Sequence, residues 1–213
     1  MAQSRFTIAK KDIVETLDKT NQKIFKLSEL RQMLEQHRNF WRLANRTTLK
    51  QFIELLENHT HLKSIRFEYP YRPTTVYTWR TASPLAIIQS SKPDSYFCHY
   101  TALFLHDLTE QLPKTVYLNQ EQPPKSALGG SLTQVNIDRA FSRSQRQSTN
   151  IATFEEYRVC IVSGKQTENL GVISMQRDND NFRVTDLERT LIDVSVRPSY
   201  AGGVFEVLKA YAN

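Results

Sequence analysis

Residues 45–79, NRTTLKQFIELLENHTHLKSIRFEYPYRPTTVYTW, place a helical pattern directly before two β-prone runs. The apolar residues of the helical part follow the i, i+3, i+4, i+7 spacing of an amphipathic helix: Leu49, Phe52, Ile53 and Leu56. Ahead of them, residues 45–48 (NRTT) offer good N-cap side chains. The stretch therefore predicts a helix that begins near residue 48 and buries one face.

The two β-prone runs that follow the helix are HLKSIRFEYP (61–70) and TTVYTW (74–79), which are joined by YRP (71–73). In the first run, polar and apolar side chains alternate from Ser64 to Tyr69, which is the pattern of a half-buried strand. These runs predict a β-hairpin.

Two further helices are predicted upstream of residue 45. The first presents one apolar face formed by Ile13, Val14 and Leu17. NQKIF (21–25) is predicted to be a short extended piece. The second helix is expected to begin at Ser28 as N-cap, with Glu29 in its first turn, where a carboxylate complements the helix dipole. Its apolar face is expected to be formed by Leu27, Leu30 and Leu34.

Three helices followed by a hairpin is the element order of a winged helix-turn-helix. In that fold the third helix enters the DNA major groove by its N-terminal end and the hairpin reaches the backbone. Arg and Gln side chains can contact base edges, while Thr and Lys suit phosphate oxygens. The candidate DNA-binding residues on the helix are Arg46, Thr47, Thr48, Lys50 and Gln51. The candidates on the hairpin, where Tyr69 and Tyr71 interleave with the charges, are Lys63, Arg66 and Arg72.

Positive charge is concentrated in the same part of the chain. The 213 residues carry a formal net charge of +6. Residues 1–80 contain 15 Lys or Arg and 8 Asp or Glu, a net charge of +7, whereas residues 81–213 have a net charge of −1. This asymmetry favours a basic module that binds double-stranded DNA. A basic face that is only solvated, and a winged helix that binds protein, stay open as alternatives.

A domain junction is predicted within RTASPLAIIQSSKPDS (80–95), which holds two prolines and several Ser and Thr residues. We predict a winged-helix DNA-binding domain at residues 1–80 and a mixed α/β domain at residues 81–213, and thus an α+β fold. The second domain is expected to begin with a buried helix from near Ser95 and to end with two helices. Its predicted strands are KTVYLNQ (114–120), LTQVNI (132–137), EYRVCIVSG (156–164), NLGVISMQ (169–176) and NFRVTD (181–186).

The overall composition is that of a globular protein, with 39% hydrophobic and 23% charged residues. No apolar run approaches the length of a membrane span, and the N-terminal residues lack the apolar segment of a signal peptide. We therefore expect a cytoplasmic protein that does not contact the membrane. Cys98 and Cys160 have apolar or aromatic neighbours, so both are interpreted as small core residues rather than a disulfide.

Catalytic and metal sites find little support in the sequence. His99 and His106 share a helix face but are two turns apart, about 10 Å of rise, which is too far for one ion. Asp138 or Glu156, followed by Lys165, is faintly similar to the acid-plus-lysine core of metal-dependent nucleases, but the Glu-x-Lys spacing on one strand is missing. We expect no catalytic residue, no cofactor and no metal. A metal-dependent nuclease with a winged-helix targeting domain stays as an alternative.

Within the segment VTDLERTLIDVSVRP (184–198), the eight positions 186–193 gather three carboxylates and Arg189, which could indicate either an active site or a charged helix. Thr185 and Glu188 stand in the T-x-x-E relation of a capping box, which places Asp186 in the first turn. Arg189 and Asp193 are one turn apart and can pair. The inward stripe is predicted to be Leu187, Leu191 and Val194. These features favour a structural helix.

Several blocks of the chain, in order, resemble the AbiEi antitoxins, which belong to bacterial type IV toxin–antitoxin and abortive-infection phage-defence systems. The resemblance runs from the predicted winged helix almost to the last residue, and the order of the blocks carries it. The most specific block is the segment from Tyr96 to Gln122, followed by ERTLIDV (188–194). The full set is residues 83–122 (SPLAIIQSSKPDSYFCHYTALFLHDLTEQLPKTVYLNQEQ), LTQVNIDRAF (132–141), GKQTENLGV (164–172) and VTDLERTLIDVSVRPSYAGGVFEVLKAY (184–211).

The resemblance implies a winged helix that binds inverted repeats in its own promoter and represses the toxin–antitoxin operon. It also implies a C-terminal domain needed to counter a nucleotidyltransferase toxin, typically without a stable complex. A protein-interaction module that neutralises the toxin by direct binding stays open. Since family members of this type usually continue past VLKAY (207–211), the resemblance leaves two expectations open, an antitoxin domain truncated at its C-terminus or one that is naturally short.

Overall fold

The computed structural model describes residues 5–124, 133–142 and 146–212, and these form a mixed α+β protein with two separate sheets. The chain divides into two compact units. The first comprises Met1–Phe67 and Pro73–Ser91, and the second comprises Glu68–Arg72 and Lys92–Asn213. The predicted boundary between functional domains at residue 80 stays a prediction.

The first unit contains the predicted helices and hairpin, one further short strand and a fourth helix. Its elements are α1 (Arg5–Lys19), β1 (Ile24–Phe25), α2 (Leu27–His37), α3 (Leu49–His59), β2 (Leu62–Phe67), β3 (Thr74–Trp79) and α4 (Pro84–Ser90). The strands form an antiparallel sheet in the order β1-β3-β2. The short extended piece expected in NQKIF therefore pairs with the second strand of the hairpin.

The apolar stripes predicted for α1 and α3 form the core of the first unit. Ile13 and Leu17 of α1 are fully buried, as are Phe52 and Leu56 of α3. Burial of such side chains, at roughly 25 cal/mol per Å² of apolar surface, is the main term that stabilises these helices. The face predicted for α3 from spacing alone is confirmed.

The predicted start of α2 is wrong by two residues, since the N-cap is Lys26 and not Ser28. The helix begins at Leu27, with extended Lys26 at the N-cap, so Ser28 lies inside its first turn. The Glu29 carboxylate accepts a hydrogen bond from the Lys26 backbone N–H at 2.6 Å, which satisfies a donor that the helix start leaves free. Leu30 and Leu34 are buried as expected, but Leu27 is exposed.

The second unit is built on a mixed six-stranded sheet in the order β6-β7-β5-β4-β9-β8. Its elements are β4 (Tyr96–Phe97), α5 (His99–Leu105), β5 (Thr115–Asn119), α6 (Gln134–Phe141), β6 (Ile151–Phe154), β7 (Tyr157–Val162), β8 (Val172–Arg177), β9 (Asp180–Thr185), α7 (Leu187–Val196) and α8 (Val204–Ala212). A short 3-10 turn, Pro198–Tyr200, follows α7. The central pairs β5–β7 and β4–β9 are parallel, and the other pairs are antiparallel.

Helices α5, α7 and α8 pack on one another, and α5 also packs on β5. Their shared core includes Leu103, Val194, Ala201 and Val207. Next to it, Cys98 and Cys160 are buried with Val162 and Tyr200, and both are free thiols. The interpretation of the two cysteines as core residues is confirmed.

Two predictions for the second unit are wrong. The helix expected from near Ser95 begins only at His99, because Tyr96 and Phe97 pair with β5 and Phe97 also pairs with β9. LTQVNI was predicted to be a strand, but its described residues enter α6. There the Gln134 amide donates to the Asp138 carboxylate one turn later, at 2.8 Å. A run of six residues fits both the period of a helix and that of a strand, and here the contact between Gln134 and Asp138 supports the helix.

Among the described residues, no helix combines the length and the apolar character that crossing a membrane requires.

Candidate nucleic-acid interface

The N-terminus of α3 is held by a complete capping box. Thr48 is the N-cap, and its hydroxyl accepts a hydrogen bond from the Gln51 backbone N–H at 3.3 Å. In return, the Gln51 side-chain oxygen accepts from the Thr48 backbone N–H at 3.0 Å. The cap uses the side-chain carbonyl oxygen of Gln51 and not its amide N–H₂ group. These reciprocal bonds fix where the helix begins.

The turn that leads into α3 is held by Arg38, at the end of α2. Its guanidinium Nη1 donates to the backbone carbonyl oxygens of Ala44 at 2.9 Å and Thr47 at 3.0 Å, with a longer contact to Asn45 at 3.3 Å. Since a charged donor strengthens each hydrogen bond, the Arg38 side chain stabilises the backbone conformation of the turn that contains Arg46. Arg38 was not among the predicted site residues.

Aromatic stacking supports α3 from the core side. Trp41 stacks on Phe52 of α3, with ring centroids 5.6 Å apart, and on His37 of α2, at 5.1 Å. The Trp41 indole N–H also reaches the Thr16 hydroxyl of α1 at 3.4 Å. The start of α3 is therefore carried on a packed scaffold rather than on a loose loop.

The predicted helix residues lie together at this end of α3. Arg46, Thr48, Lys50 and Gln51 are exposed, and Thr47 is half-buried. The Lys50 ammonium lies 3.9 Å from the Glu54 carboxylate, and both side chains are largely exposed. A contact this long and this exposed contributes little, so the charge of Lys50 stays available to an anion.

The predicted hairpin residues divide between the strand and the loop. Lys63 and Arg66 are exposed on β2, in register with Thr78 and Thr75 of β3. Arg72 is also exposed, but it lies in the loop Glu68–Arg72, which groups with the second unit.

The two tyrosines of this loop differ in exposure. Tyr71 is 77% exposed, whereas Tyr69 is only 2% exposed and has the Lys92 ammonium 4.4 Å from its ring centroid. Burial, and then the charge of Arg72, lower the pKa of Lys92. The expected interleaving of exposed charges and aromatic rings therefore holds for Tyr71 and not for Tyr69.

The charged segment 184–198 forms a buried network centred on Arg189 of α7. The guanidinium donates to the Tyr96 hydroxyl at 2.9 Å and to the Thr167 hydroxyl at 2.9 Å, and it also bonds the Leu170 carbonyl. Its Nε lies 3.5 Å from the Asp193 carboxylate, which confirms the predicted pair. The Arg189 side chain is only 16% exposed, so this arginine is used up by structural contacts.

Glu121 is the acidic partner of this network. Its carboxylate accepts from the Thr167 backbone N–H at 2.8 Å and from the Tyr96 hydroxyl at 3.0 Å. Burial alone would raise the pKa of Glu121, but the hydrogen bonds from Thr167, Tyr96 and Asn169 outweigh it and hold the pKa at about 2. Burial raises the pKa of Tyr96 to about 12, which keeps its hydroxyl a donor.

The start of α7 differs from the predicted capping box. Asp186, and not Thr185, is the N-cap, and its carboxylate accepts from the Arg189 backbone N–H at 2.8 Å. The Thr185 hydroxyl is instead buried against the Thr190 hydroxyl at 2.7 Å. The predicted inward stripe is wrong at Leu187, which is exposed, since Thr190 and Val194 face the interior.

The residues considered for metal binding or nuclease chemistry lie apart. Glu156 is in the β6–β7 turn, while Lys165 follows the far end of β7, so six residues of strand, about 20 Å, separate them. His106 is engaged with the Thr185 carbonyl at 2.7 Å. Within the described ranges, no group of three His, Cys, Asp or Glu residues is arranged to hold an ion.

The sequence matches no protein-family model, and a search of curated proteins finds no match either. The resemblance to the AbiEi antitoxins therefore rests on the quoted residues and stays a prediction.

Proposed function

We propose that this chain is a DNA-binding transcriptional repressor that acts on inverted repeats in its own promoter. We further propose that it serves as the antitoxin of an AbiEi-type type IV toxin–antitoxin system. The observation that carries the first part is the capped and rigidly supported N-terminus of α3, where Arg46, Lys50 and Gln51 are exposed. A helix start of this kind is the part of a recognition helix that meets base edges and phosphates.

The order of elements in the first unit supports a winged helix. A short strand, β1, precedes α2 and α3, and the antiparallel hairpin of β2 and β3 follows α3 directly. In this proposal α3 is the recognition helix and the hairpin is the wing. Lys63 and Arg66 of β2 would then contact the sugar–phosphate backbone, since exposed cations beside a recognition helix position the protein without reading sequence.

The location of charge supports the same partner. The net charge of +7 lies in residues 1–80, and the rest of the chain is close to neutral. A protein that contacts phosphates through Lys and Arg releases counterions, so its affinity for DNA falls steeply as salt rises. A basic face that only contacts solvent would bind no specific DNA site, so no salt-dependent affinity for such a site would be measured.

The direct experiment is a mobility-shift assay on the promoter that precedes the coding sequence, at two salt concentrations. Intact inverted repeats and a scrambled version of equal length and composition provide the comparison. We expect the chain to bind the intact repeats more tightly than the scrambled ones, and to bind them less tightly at the higher salt concentration. Binding that ignores the repeats, or that is indifferent to salt, would refute it.

The antitoxin role rests on the resemblance of residues 83–122 and 184–211 to the AbiEi blocks. Its test is co-expression with a nucleotidyltransferase encoded next to this chain, with growth as the readout. A chain carrying Arg46→Ala and Lys50→Ala should still restore growth, because the proposal assigns toxin opposition to the C-terminal part. Failure of the unaltered chain to restore growth would rule out the antitoxin role and leave DNA binding unaffected.

A further inference from the structure

A cleft of about 680 Å³ opens in the second unit at the carboxyl ends of two parallel strands. Asn119 ends β5 and Val162 ends β7, and the segments that follow them, residues 122–124 and 163–167, form two of its walls. The last two turns of α7 form the third wall. In sheets with parallel strands, ligands bind outside the carboxyl ends of the strands, and this volume is that of a small-molecule site.

The cleft contains a buried side chain with an unused hydrogen-bonding atom. His99 is 6% exposed and lines the cleft, and its Nδ1 has no hydrogen-bond partner among the described residues. The rings of Tyr200, at 5.2 Å, and Tyr117, at 6.3 Å, hold the imidazole in place. Buried polar atoms are nearly always paired, so the unpaired Nδ1 of a residue that lines the cleft is unusual.

The backbone conformation of His99 is the second unusual feature of this residue. Its φ is +52°, a left-handed conformation that costs a non-glycine residue energy, at the first position of α5. Burial, and then the charges of Arg197 and Arg189, lower the pKa of His99 to about 4. The imidazole is therefore neutral near pH 7 and offers one uncharged hydrogen bond.

Two cations at the cleft make no close ion pair with a described residue, although the charge of Arg197 acts on Asp193. Lys165 and Arg197 are both exposed and line the cleft, and neither side chain makes an ion pair with a described residue. The Arg197 guanidinium is placed 5.8 Å from the ring of Tyr200, the same ring that holds His99. By contrast, Arg189 is consumed by the network with Tyr96, Thr167 and Asp193.

The acidic residue of the described lining is Asp193, whose side chain is 29% exposed and lies beside Arg189. A carboxylate accepts hydrogen bonds from hydroxyl groups and repels a second anion. The cleft therefore combines two exposed cations with a carboxylate that suits neutral hydroxyls. Pro123, Pro124 and Val196 add apolar wall.

We propose that this cleft binds a phosphomonoester of a small hydroxylated molecule, a sugar phosphate or a nucleoside monophosphate. The phosphoryl oxygens accept charge-assisted hydrogen bonds from Lys165 and Arg197, Asp193 accepts from a hydroxyl, and the buried His99 forms part of the floor. A phosphoryl group suits two separate cations because it presents three acceptor oxygens. This site is independent of the proposed DNA interface.

The test is isothermal titration of the full chain with four probes: ribose 5-phosphate, AMP, adenosine and inorganic phosphate. We expect saturable binding of AMP, at least about tenfold tighter than binding of adenosine or of inorganic phosphate. If ribose 5-phosphate binds as well as AMP, the ligand is a sugar phosphate. If only AMP binds, the base is recognised too, and the ligand is a nucleotide.

The double variant Lys165→Ala, Arg197→Ala should weaken AMP binding by about 30-fold or more, since two charge-assisted hydrogen bonds are lost. The matched control is Lys114→Ala, Arg158→Ala, which removes two exposed cations at the opposite ends of β5 and β7 and should leave binding unchanged. All these substitutions are at the surface, and melting temperatures check that each variant is folded.

Three results would overturn the site. They are no saturable binding of either phosphomonoester at millimolar concentration, equal affinity for inorganic phosphate and AMP, or AMP affinity that the double variant does not change. Repeating the titration with Arg46→Ala, Lys50→Ala separates this site from the DNA interface. That variant should bind AMP normally whether or not the chain binds DNA, and a loss of AMP binding in it would contradict the separation.

Discussion

Arg38 donates a hydrogen bond of 3.0 Å from its Nη1 to the backbone carbonyl of Thr47, and this contact joins the end of α2 to the start of α3. The same nitrogen bonds the Ala44 carbonyl, so one atom of Arg38 contacts the backbone on both sides of Arg46. The structure thus ties the proposed DNA-contacting residues to the folded core through a side chain that does not itself need to touch DNA.

Replacing Arg38 with methionine keeps the aliphatic stem and removes these donors. We predict a loss of about 1–2 kcal/mol in the free energy of unfolding, measured with urea, because partly buried carbonyls lose a charged partner. Promoter affinity should fall about tenfold, because the α2–α3 turn loosens. Arg31→Met, on the exposed surface of α2, is the control. Unchanged stability and affinity in Arg38→Met would show that the turn does not depend on this side chain.

Glu121 should make the second unit sensitive to acid. Its pKa in the folded chain is about 2, below the ordinary value of 4.5, so its contribution to stability is fully present above pH 4.5. That contribution is lost as the pH falls from 4.5 towards 2, since protonation neutralises the carboxylate and weakens the hydrogen bonds from Thr167 and Tyr96. We predict that Glu121→Gln costs about 2 kcal/mol at pH 7 and that the difference from the unaltered chain shrinks below pH 4.5.

The check is urea unfolding of both proteins across that pH range. Glu110→Gln, at an exposed position of the same unit, serves as the control and should match the unaltered chain. A Glu121→Gln variant that is as stable as the unaltered chain at pH 7 would mean that the network around Arg189 contributes no stability.

The two cysteines should resist alkylation in the folded chain. Burial raises the pKa of Cys98 well above its usual range and also raises the pKa of Cys160, so neither forms the reactive thiolate near neutral pH. Labelling with iodoacetamide should modify neither thiol in the native protein and both thiols in urea. Rapid labelling of the native protein would contradict the buried cluster that they form with Val162 and Tyr200.

The sequence predicts best where structure is local. The start and apolar face of α3 follow from NRTT and from the spacing of Leu49, Phe52 and Leu56, because a helix is set by neighbours three and four residues apart. The hairpin follows from alternation over a short run. The strand prediction for LTQVNI (132–137) was wrong because six residues do not distinguish a helix from a strand.

The interactions that join distant parts of the chain could not be predicted from spacing. Arg189 bonds Tyr96, 93 residues away, and in the same helix Thr190 rather than Leu187 faces inward. The role of Arg38 depends on an irregular turn whose carbonyls have no sequence signature. The cleft near His99 depends on the parallel pairing of β5 and β7, which only the assembled sheet reveals.

The measurement that tests the central claim most directly is the promoter affinity of Arg46→Ala, Lys50→Ala against that of the control Lys114→Ala, Arg158→Ala, which removes the same charge from the second unit. We predict that the α3 variant binds intact inverted repeats at least about 30-fold more weakly and shows a shallower salt dependence, since it loses two contacts to DNA. The control should bind like the unaltered chain. Equal affinity for the α3 variant and the control would contradict the assignment of α3 as the DNA-reading element.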